Sequence, residues 1–324
     1  MKRKTPYLLA GLAVCSAGIL LLALCGGSSW YAPTELFSPE LEVIFDLRLR
    51  RVLTAFLVGA ALAAGGTACQ AVLRNELADP YILGISGGAS LGAALAILSG
   101  AVVHSVWALP GGAFCGALTA LALVLLPARG GDTGTKILLS GVITGAVCSS
   151  LLMVLISVMG NTKLNSIVWW ILGDLSGRED ALLIPAAILI SGGLAILIML
   201  ARETNALSIG SEFAHGYGIA PERVILMLLG TASLLAATAV SLAGIIGFAG
   251  LIVPHIARRI VGAEHRKLYP AAFFAGGVFL VLCDLISRAV LPEQELPVGV
   301  VTSLTGGPFF LWLLYRKKSS GGDA

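Results

Sequence analysis

Charge is scarce in this sequence of 324 residues. Asp, Glu, Lys and Arg make up 12% of it, against about 25% in an ordinary soluble domain, while 57% of the residues are hydrophobic. With a mean hydropathy of +0.93, a water-solvated globule is excluded and a chain solvated mainly by lipid remains. Long polar stretches are missing too. The longest connections between apolar runs, 27–50, 160–180 and 202–222, leave no room for a soluble domain, so residues 1–324 read as a single transmembrane domain.

Motifs of soluble chemistry are also lacking. The six cysteines lie in apolar segments and make no CxxC, which suits small buried hydrophobes better than a disulfide framework or a metal site. The four histidines form no HExxH, and Asp284 is the sole carboxylate deep in an apolar run, where an intramembrane aspartyl protease needs two. No metal site and no catalytic residue is expected. The stretch GGDTGTKI (130–137) imitates a phosphate loop, but Thr135 stands where the second glycine belongs and Ile137 where Ser or Thr would bind magnesium. This chain is expected to bind no cofactor, and any ATP must be handled by another chain.

What is present is a series of apolar runs, several near the roughly 20 residues of a spanning helix. The N-terminus, MKRKTPYLLAGLAVCSAGILLLALCGG, has a basic head like a signal peptide, but Leu24 precedes Cys25 where a lipoprotein needs a small residue, and the run is long. It reads as the first membrane helix. Ten segments are expected, near 7–26, 51–73, 82–99, 107–127, 136–159, 181–201, 223–243, 246–261, 269–291 and 297–315. The fold class is therefore all-α, a polytopic membrane protein of about ten transmembrane helices. Placing both termini in the cytoplasm puts fifteen of the 21 Lys and Arg residues on that side, as the positive-inside rule asks. The cluster Arg48-Leu49-Arg50-Arg51 violates the rule, and an outward basic cluster calls for a partner. Asp284 and Arg288, four apart, share one helical face. Trp169 and Trp170 are expected in an interfacial aromatic belt.

Small residues permit close helix packing in lipid. Gly59, Gly65 and Gly66 fall in the second segment, Gly84, Gly87, Gly88 and Gly92 in the third, and Gly141 and Gly145, with Ser140 and Thr144 alongside, in the fifth. An internal echo, GISGGA (84–89) against GIIGFA (244–249), falls in segments of opposite direction, as an inverted repeat requires.

Three blocks resemble the FecCD family of ABC importer permeases: RVLTAFLVGAALAAGGTACQAVLRNELADPYILGISGGASLGA (51–93), GIIGFAGLIVPHIARRIVGAEHRKLYP (244–270) and ELPVGVVTSLTGGPFFLWLL (295–314). The resemblance covers nearly the whole chain. It departs from the family pattern at Glu76, which replaces a proline of an RNPLADP-like turn, and at Arg50, which replaces the proline of an RLPR-like motif. Both departures bear on local loop geometry. The resemblance implies a type II ABC importer permease in the bacterial inner or cytoplasmic membrane, working as a homodimer or pseudo-dimer. Its other partners would be two cytoplasmic ATPase subunits, which carry ATP and magnesium, and an extracytoplasmic substrate-binding protein. No nucleic-acid partner is expected. The cargo would be an iron chelate (ferric siderophore or haem), with cobalamin close behind.

The family also implies roles for particular residues. Arg48, Arg51 and Arg288 match its outward arginines, which meet acidic residues of the binding protein; a guanidinium fork suits carboxylates. The segment 207–222 resembles the ATPase-coupling segment, with Gly210, Glu212, Phe213, His215, Tyr217 and Gly218 as the coupling residues and Phe213 and Tyr217 forming one apolar face. By similarity to the cobalamin permease, Ser140, Thr144, Thr302 and Thr305 would line the pathway, with Gly134 and Thr135 at an inner gate. The polar turn RNELADP (74–80) would lie on the ATPase side, with Pro80 starting the next helix. Two other readings remain at this point. An ion-coupled secondary transporter would carry more ionisable residues near the membrane midplane, and a structural subunit would have no pathway.

Overall fold

The computed structural model describes residues 5–27, 29–36, 38–126, 133–176, 180–291 and 295–319. Every regular element among them is helical. A peptide group in lipid finds no water, so a spanning segment must satisfy its hydrogen bonds internally. In chain order the helices are α1 (Thr5–Cys25), α2 (Pro33–Leu36), α3 (Glu42–Val72), α4 (Ile85–Leu98), α5 (Ala108–Leu125), α6 (Thr133–Val158), α7 (Asn161–Ile171), α8 (Asp180–Met199), α9 (Ala201–Ile209), α10 (Ser211–Gly216), α11 (Pro221–Ala243), α12 (Ala249–Val261), α13 (His265–Ala289) and α14 (Val298–Ser319). Each of the ten expected segments falls on one of these helices. By length and composition six stretches can cross a membrane: Pro39–Val72, Ala108–Leu125, Gly134–Val158, Asp180–Met199, Pro221–Ala243 and His265–Ala289. Val14–Cys25, Ile85–Leu98 and Val298–Trp312 are shorter apolar helices.

The second segment begins earlier than the apolar run suggests, since α3 starts at Glu42 rather than near 51. Its charges do not end the helix. Glu42 lies in the first turn, where the helix dipole favours a carboxylate, and the arginines that follow all find partners. At 31 residues, α3 is about 46 Å long and exceeds a hydrocarbon core of about 30 Å. The connections 160–180 and 202–222 are likewise partly helical, holding α7 and α9–α10.

The apolar windows of α3 and α11 are 83% and 78% buried and form the centre of the bundle, whereas that of α6 is 17% buried. The flagged glycines explain how helices come so close to α3. A Cβ on Gly59 would lie 2.2 Å from the Gly276 carbonyl oxygen of α13, and one on Gly66 2.0 Å from that of Gly250 in α12. On α4, Gly92 faces Gly112 of α5 in the same way. Gly141 of α6 meets the Ile82 carbonyl, 2.3 Å from where its Cβ would be, so the small face of α6 packs on the short 3-10 turn Pro80–Leu83.

Gly84 and Gly244, the matched glycines of the internal echo, both hold positive φ, +76° and +70°, and each precedes a helix, α4 and α12. Around Gly244 three segments touch backbone to backbone. Its Cβ would fall 1.9 Å from the Trp170 carbonyl oxygen, and one on Gly299 would fall 2.4 Å from that of Leu172. Asp174 N–H donates to the Ala243 carbonyl at 2.9 Å. Trp170 is therefore interior, 4% exposed, and not part of a belt; Trp169 is 52% exposed. Adjacent helical residues point 100° apart, which lets Trp170 face the bundle while Trp169 faces out.

Gly59→Ala is expected to destabilise the detergent-solubilised protein by about 1–3 kcal/mol, the usual range for overpacking, read as a lowered thermal midpoint. Gly192→Ala, inside α8 at a position with nothing within 4 Å of an added Cβ, should not lower the midpoint and should raise it slightly, since alanine is the better helix former.

Candidate functional site

One end of the bundle gathers the C-terminus of α1, the N-terminal part of α3 and the C-terminal part of α13. Asp284 of α13 is fully buried there. Its Oδ1 accepts from Arg51 Nε at 2.7 Å, and its Oδ2 lies 2.9 Å from Arg288 Nε, an ion contact without hydrogen-bond alignment. Arg288, 4% exposed, donates to the carbonyls of Gly26 and Ala23 at 3.0 and 3.2 Å. Arg48 donates to Leu24 and Cys25 at 2.9 and 3.1 Å and to Ser29 at 2.8 Å, over the ring of Tyr31. Two guanidiniums thus cap the carbonyls that α1 leaves unpaired at its C-terminus, where positive charge is also favoured by the helix dipole.

The structure brings all three expected arginines together but treats them differently. Arg288 is enclosed, Arg48 is half-buried, and Arg51 reaches Glu295 through Nη1 at 2.6 Å. These residues, with Gly27, Ser29, Tyr31 and Ser176, line a cavity of about 330 Å³. Arg50, the departure from the family pattern, bridges to Asp180 at 3.1 Å and Asp46 at 3.9 Å. Sequence reasoning missed Glu295 and Asp180. Glu295 carried one signal, as the first residue of the third block.

At the opposite end the chain leaves α3 through Arg74, which takes positive φ, +47°. Asn75 N–H returns to the Gln70 carbonyl at 3.2 Å, and Asp79 Oδ1 accepts from Tyr81 N–H at 2.8 Å, capping the turn that Pro80 opens. This polar turn lies against α12. Gln70 Nε2 donates to the Gly250 and Leu251 carbonyls, each at 3.3 Å. Glu76, where the family pattern has proline, faces His255 at 3.7 Å and Arg258 at 4.0 Å. Two of the three sequence blocks are thus one packed unit. Asp79 is buried and lies outside the spanning helices; desolvation pushes its pKa up to about 6, against the opposing hydrogen bond from Tyr81.

Beside this turn, α10 presents the expected coupling residues. Phe213 and Tyr217 have ring centroids 4.7 Å apart and stay 41% and 69% exposed, while Ala214 between them is buried. Glu212 and His215 are also exposed. Gly210 and Gly218 bracket the helix, and Gly218 needs its positive φ of +75°. His215 shares a cavity of about 570 Å³ with Arg74, Ser211, Glu222, Arg223 and Gly134 at the start of α6. Thr135 follows on α6 and is exposed.

The remaining expected residues separate. Ser140 and Thr144 line an apolar cavity of about 890 Å³ between α4, α5 and α6. Thr302 is buried, its hydroxyl donating to Gly299, and Thr305 is exposed, bonded back to Val301 and Thr302. Within one chain α14 brings neither of them into that cavity. Among the described residues no group of His, Cys, Asp and Glu could hold a metal ion.

Ionisable residues collect at the two ends of this bundle and small residues run through its depth, the arrangement of a polytopic membrane protein. The FecCD transport family matches residues 14–316, and the chain belongs to that family. It is 36% identical over 315 residues to the hemin transport system permease HmuU of Yersinia pestis, covering 96% of this chain and 94% of that one. It is equally 36% identical, over 307 residues, to the vitamin B12 import system permease BtuC of Escherichia coli O157:H7, covering 92% and 91%. A solved metal-chelate type ABC transporter in an inward-facing conformation superimposes with a TM-score of 0.87 at 30% identity, covering 96% of this chain and 99% of that one.

Asp79 gives the turn a pH signature. Its folded pKa, pushed up to about 6, lies above the ordinary carboxyl value of 3.8, so between these values the folded state binds more protons than the unfolded state. That contribution favours folding at low pH and is lost as pH rises to about 6. Asp79→Asn keeps the oxygen that caps Tyr81 and removes the charge. The thermal midpoint of the variant at neutral pH should rise, and the difference between variant and parent should shrink as pH falls from 6 to 4.

Proposed function

We propose that this chain forms the transmembrane part of an ATP-driven importer of a metal chelate. The cargo would be an iron chelate, either a ferric siderophore or haem, or else cobalamin. The names of the relatives point to tetrapyrroles, hemin and vitamin B12. In this reading ten helices cross the membrane, α1, α3, α4, α5, α6, α8, α11, α12, α13 and α14, with both termini in the cytoplasm. Two copies assemble with two ATPase subunits and with an extracytoplasmic substrate-binding protein, and transport proceeds by alternating access. The arginine end faces outward and docks the binding protein through Arg48 and Arg51, with Arg288 holding their frame. The turn end faces the ATPase.

One observation carries the reading: the exposed aromatic pair of α10 stands beside a cavity whose far wall is the start of α6. A partner that grips Phe213 and Tyr217 is thereby connected to Gly134 and Thr135, at the proposed inner gate, and through α6 to Ser140 and Thr144. Thr305, exposed on α14, joins the pathway when the second copy is in place, whereas Thr302 is enclosed within its own chain and does not. An ion-coupled mechanism is not favoured, because the relatives belong to ABC import systems and Asp284, the one carboxylate deep in a helix, is already neutralised by two arginines.

The test is uptake by proteoliposomes holding the permease, its ATPase and its binding protein, supplied with haem or cyanocobalamin. ATP should drive uptake, and collapse of the proton gradient should leave it intact. Phe213→Ala should reduce ATP-driven uptake about tenfold or more, as loss of an aromatic anchor does, and should weaken co-purification of the ATPase. Uptake that follows the proton gradient and ignores ATP would overturn the reading.

A further inference from the structure

Arg51 has two carboxylate partners of opposite character. Asp284 is fully buried and takes Nε; Glu295 is 53% exposed and takes Nη1. Breaking a buried pair strands a charge and is costly, whereas an exposed pair contributes little and yields readily to solvent or salt. Asp284 is thus the permanent partner and Glu295 the exchangeable one. The backbone beside Glu295 is pinned, because Ser287 Oγ donates to the Leu296 carbonyl at 2.5 Å and Leu296 N–H donates back to the Ser287 carbonyl at 3.3 Å. The Glu295 side chain can therefore swing away without unravelling the approach to α14.

Among the described residues, three guanidiniums, Arg48, Arg51 and Arg288, and one carboxylate, Glu295, line the 330 Å³ cavity, which also has Gly27, Ser29, Tyr31 and Ser176 on its wall. Asp174 stands behind that wall, its Oδ1 accepting from Ser176. The geometry points to Glu295 as a resident stand-in for a carboxylate of the docking protein: it occupies Arg51 in the free permease, and an acidic side chain entering the cavity displaces it. Such an exchange swaps one guanidinium–carboxylate pair for another, so docking is reversible, and it frees Glu295 at the head of the segment leading into α14. The inference rests on the docking role proposed above for Arg48 and Arg51.

The test measures binding of the importer's own substrate-binding protein, immobilised on a sensor, to the permease–ATPase complex in phosphatidylethanolamine–phosphatidylglycerol nanodiscs. Removing the competitor with Glu295→Gln should tighten binding about three- to fivefold at low salt, the scale of one exposed ion pair, and the gain should vanish at high salt. Glu295→Asp, one methylene shorter with the charge kept, should give a smaller gain, and it carries the test if the Gln variant does not assemble. Arg51→Lys keeps a cation opposite Asp284 but loses the fork, and should weaken binding. If Arg51→Lys weakens binding while both Glu295 variants bind as the parent does or more weakly, Glu295 is no competitor and only the docking site stands. If Arg48→Gln and Arg51→Lys both leave affinity unchanged, the docking site is wrong and the stand-in falls with it.

Discussion

A carboxylate buried without water must find its countercharges inside the chain, and Asp284 organises one end of this molecule on that condition. Its two oxygens hold Arg51 from α3 and Arg288 from α13, and Arg288 reaches on to the last carbonyls of α1. Three helices distant in sequence are tied by one group. Removing a single member of such a set typically costs about 3–5 kcal/mol, because the charges left behind stay buried. The network also explains how cations collect where an apolar run has just begun: each serves a carboxylate or a bare carbonyl, so none is carried as an unpaired charge.

The opposite end solves the same problem with backbone and amide groups. Gln70 satisfies two carbonyls at the start of α12, where Gly66 lets the helices come within backbone contact. Asp79 caps its own turn while pressed against Gly250. The polar turn between α3 and α4 is therefore a fitted surface. Side by side with α10, it places the elements that would answer to a cytoplasmic partner around one cavity.

Much of this was legible in the sequence. Hydropathy located every long helix, the spacing of Asp284 and Arg288 announced a shared face, and Gly59, Gly66, Gly92 and Gly141 marked one side of the close crossings, though not their partners Gly276, Gly250, Gly112 and Ile82. The start of α3 was not legible, because the apolar run ends at charges whose partners lie 233 and 244 residues away. Trp170 was misplaced because composition does not say which side of α7 faces the bundle. Thr302 and Thr305, both hydroxyls on one helix, have opposite exposure, which is set by how α14 packs on its neighbours and not by their chemistry. The exposed apolar side chains of α6, among them Val142 and Val147, read in sequence like any other spanning helix.

The meeting of Trp170, Gly244 and Gly299 carries a mechanical consequence. Where main chain abuts main chain there is no side chain to rotate out of the way, so α7, the segment after α11 and the start of α14 form a clamp. A clamp at one end of a long rod makes it a lever. With 22 residues, α14 is about 33 Å long, and a few degrees of turn at Gly299 become a displacement of ångströms at its far tip.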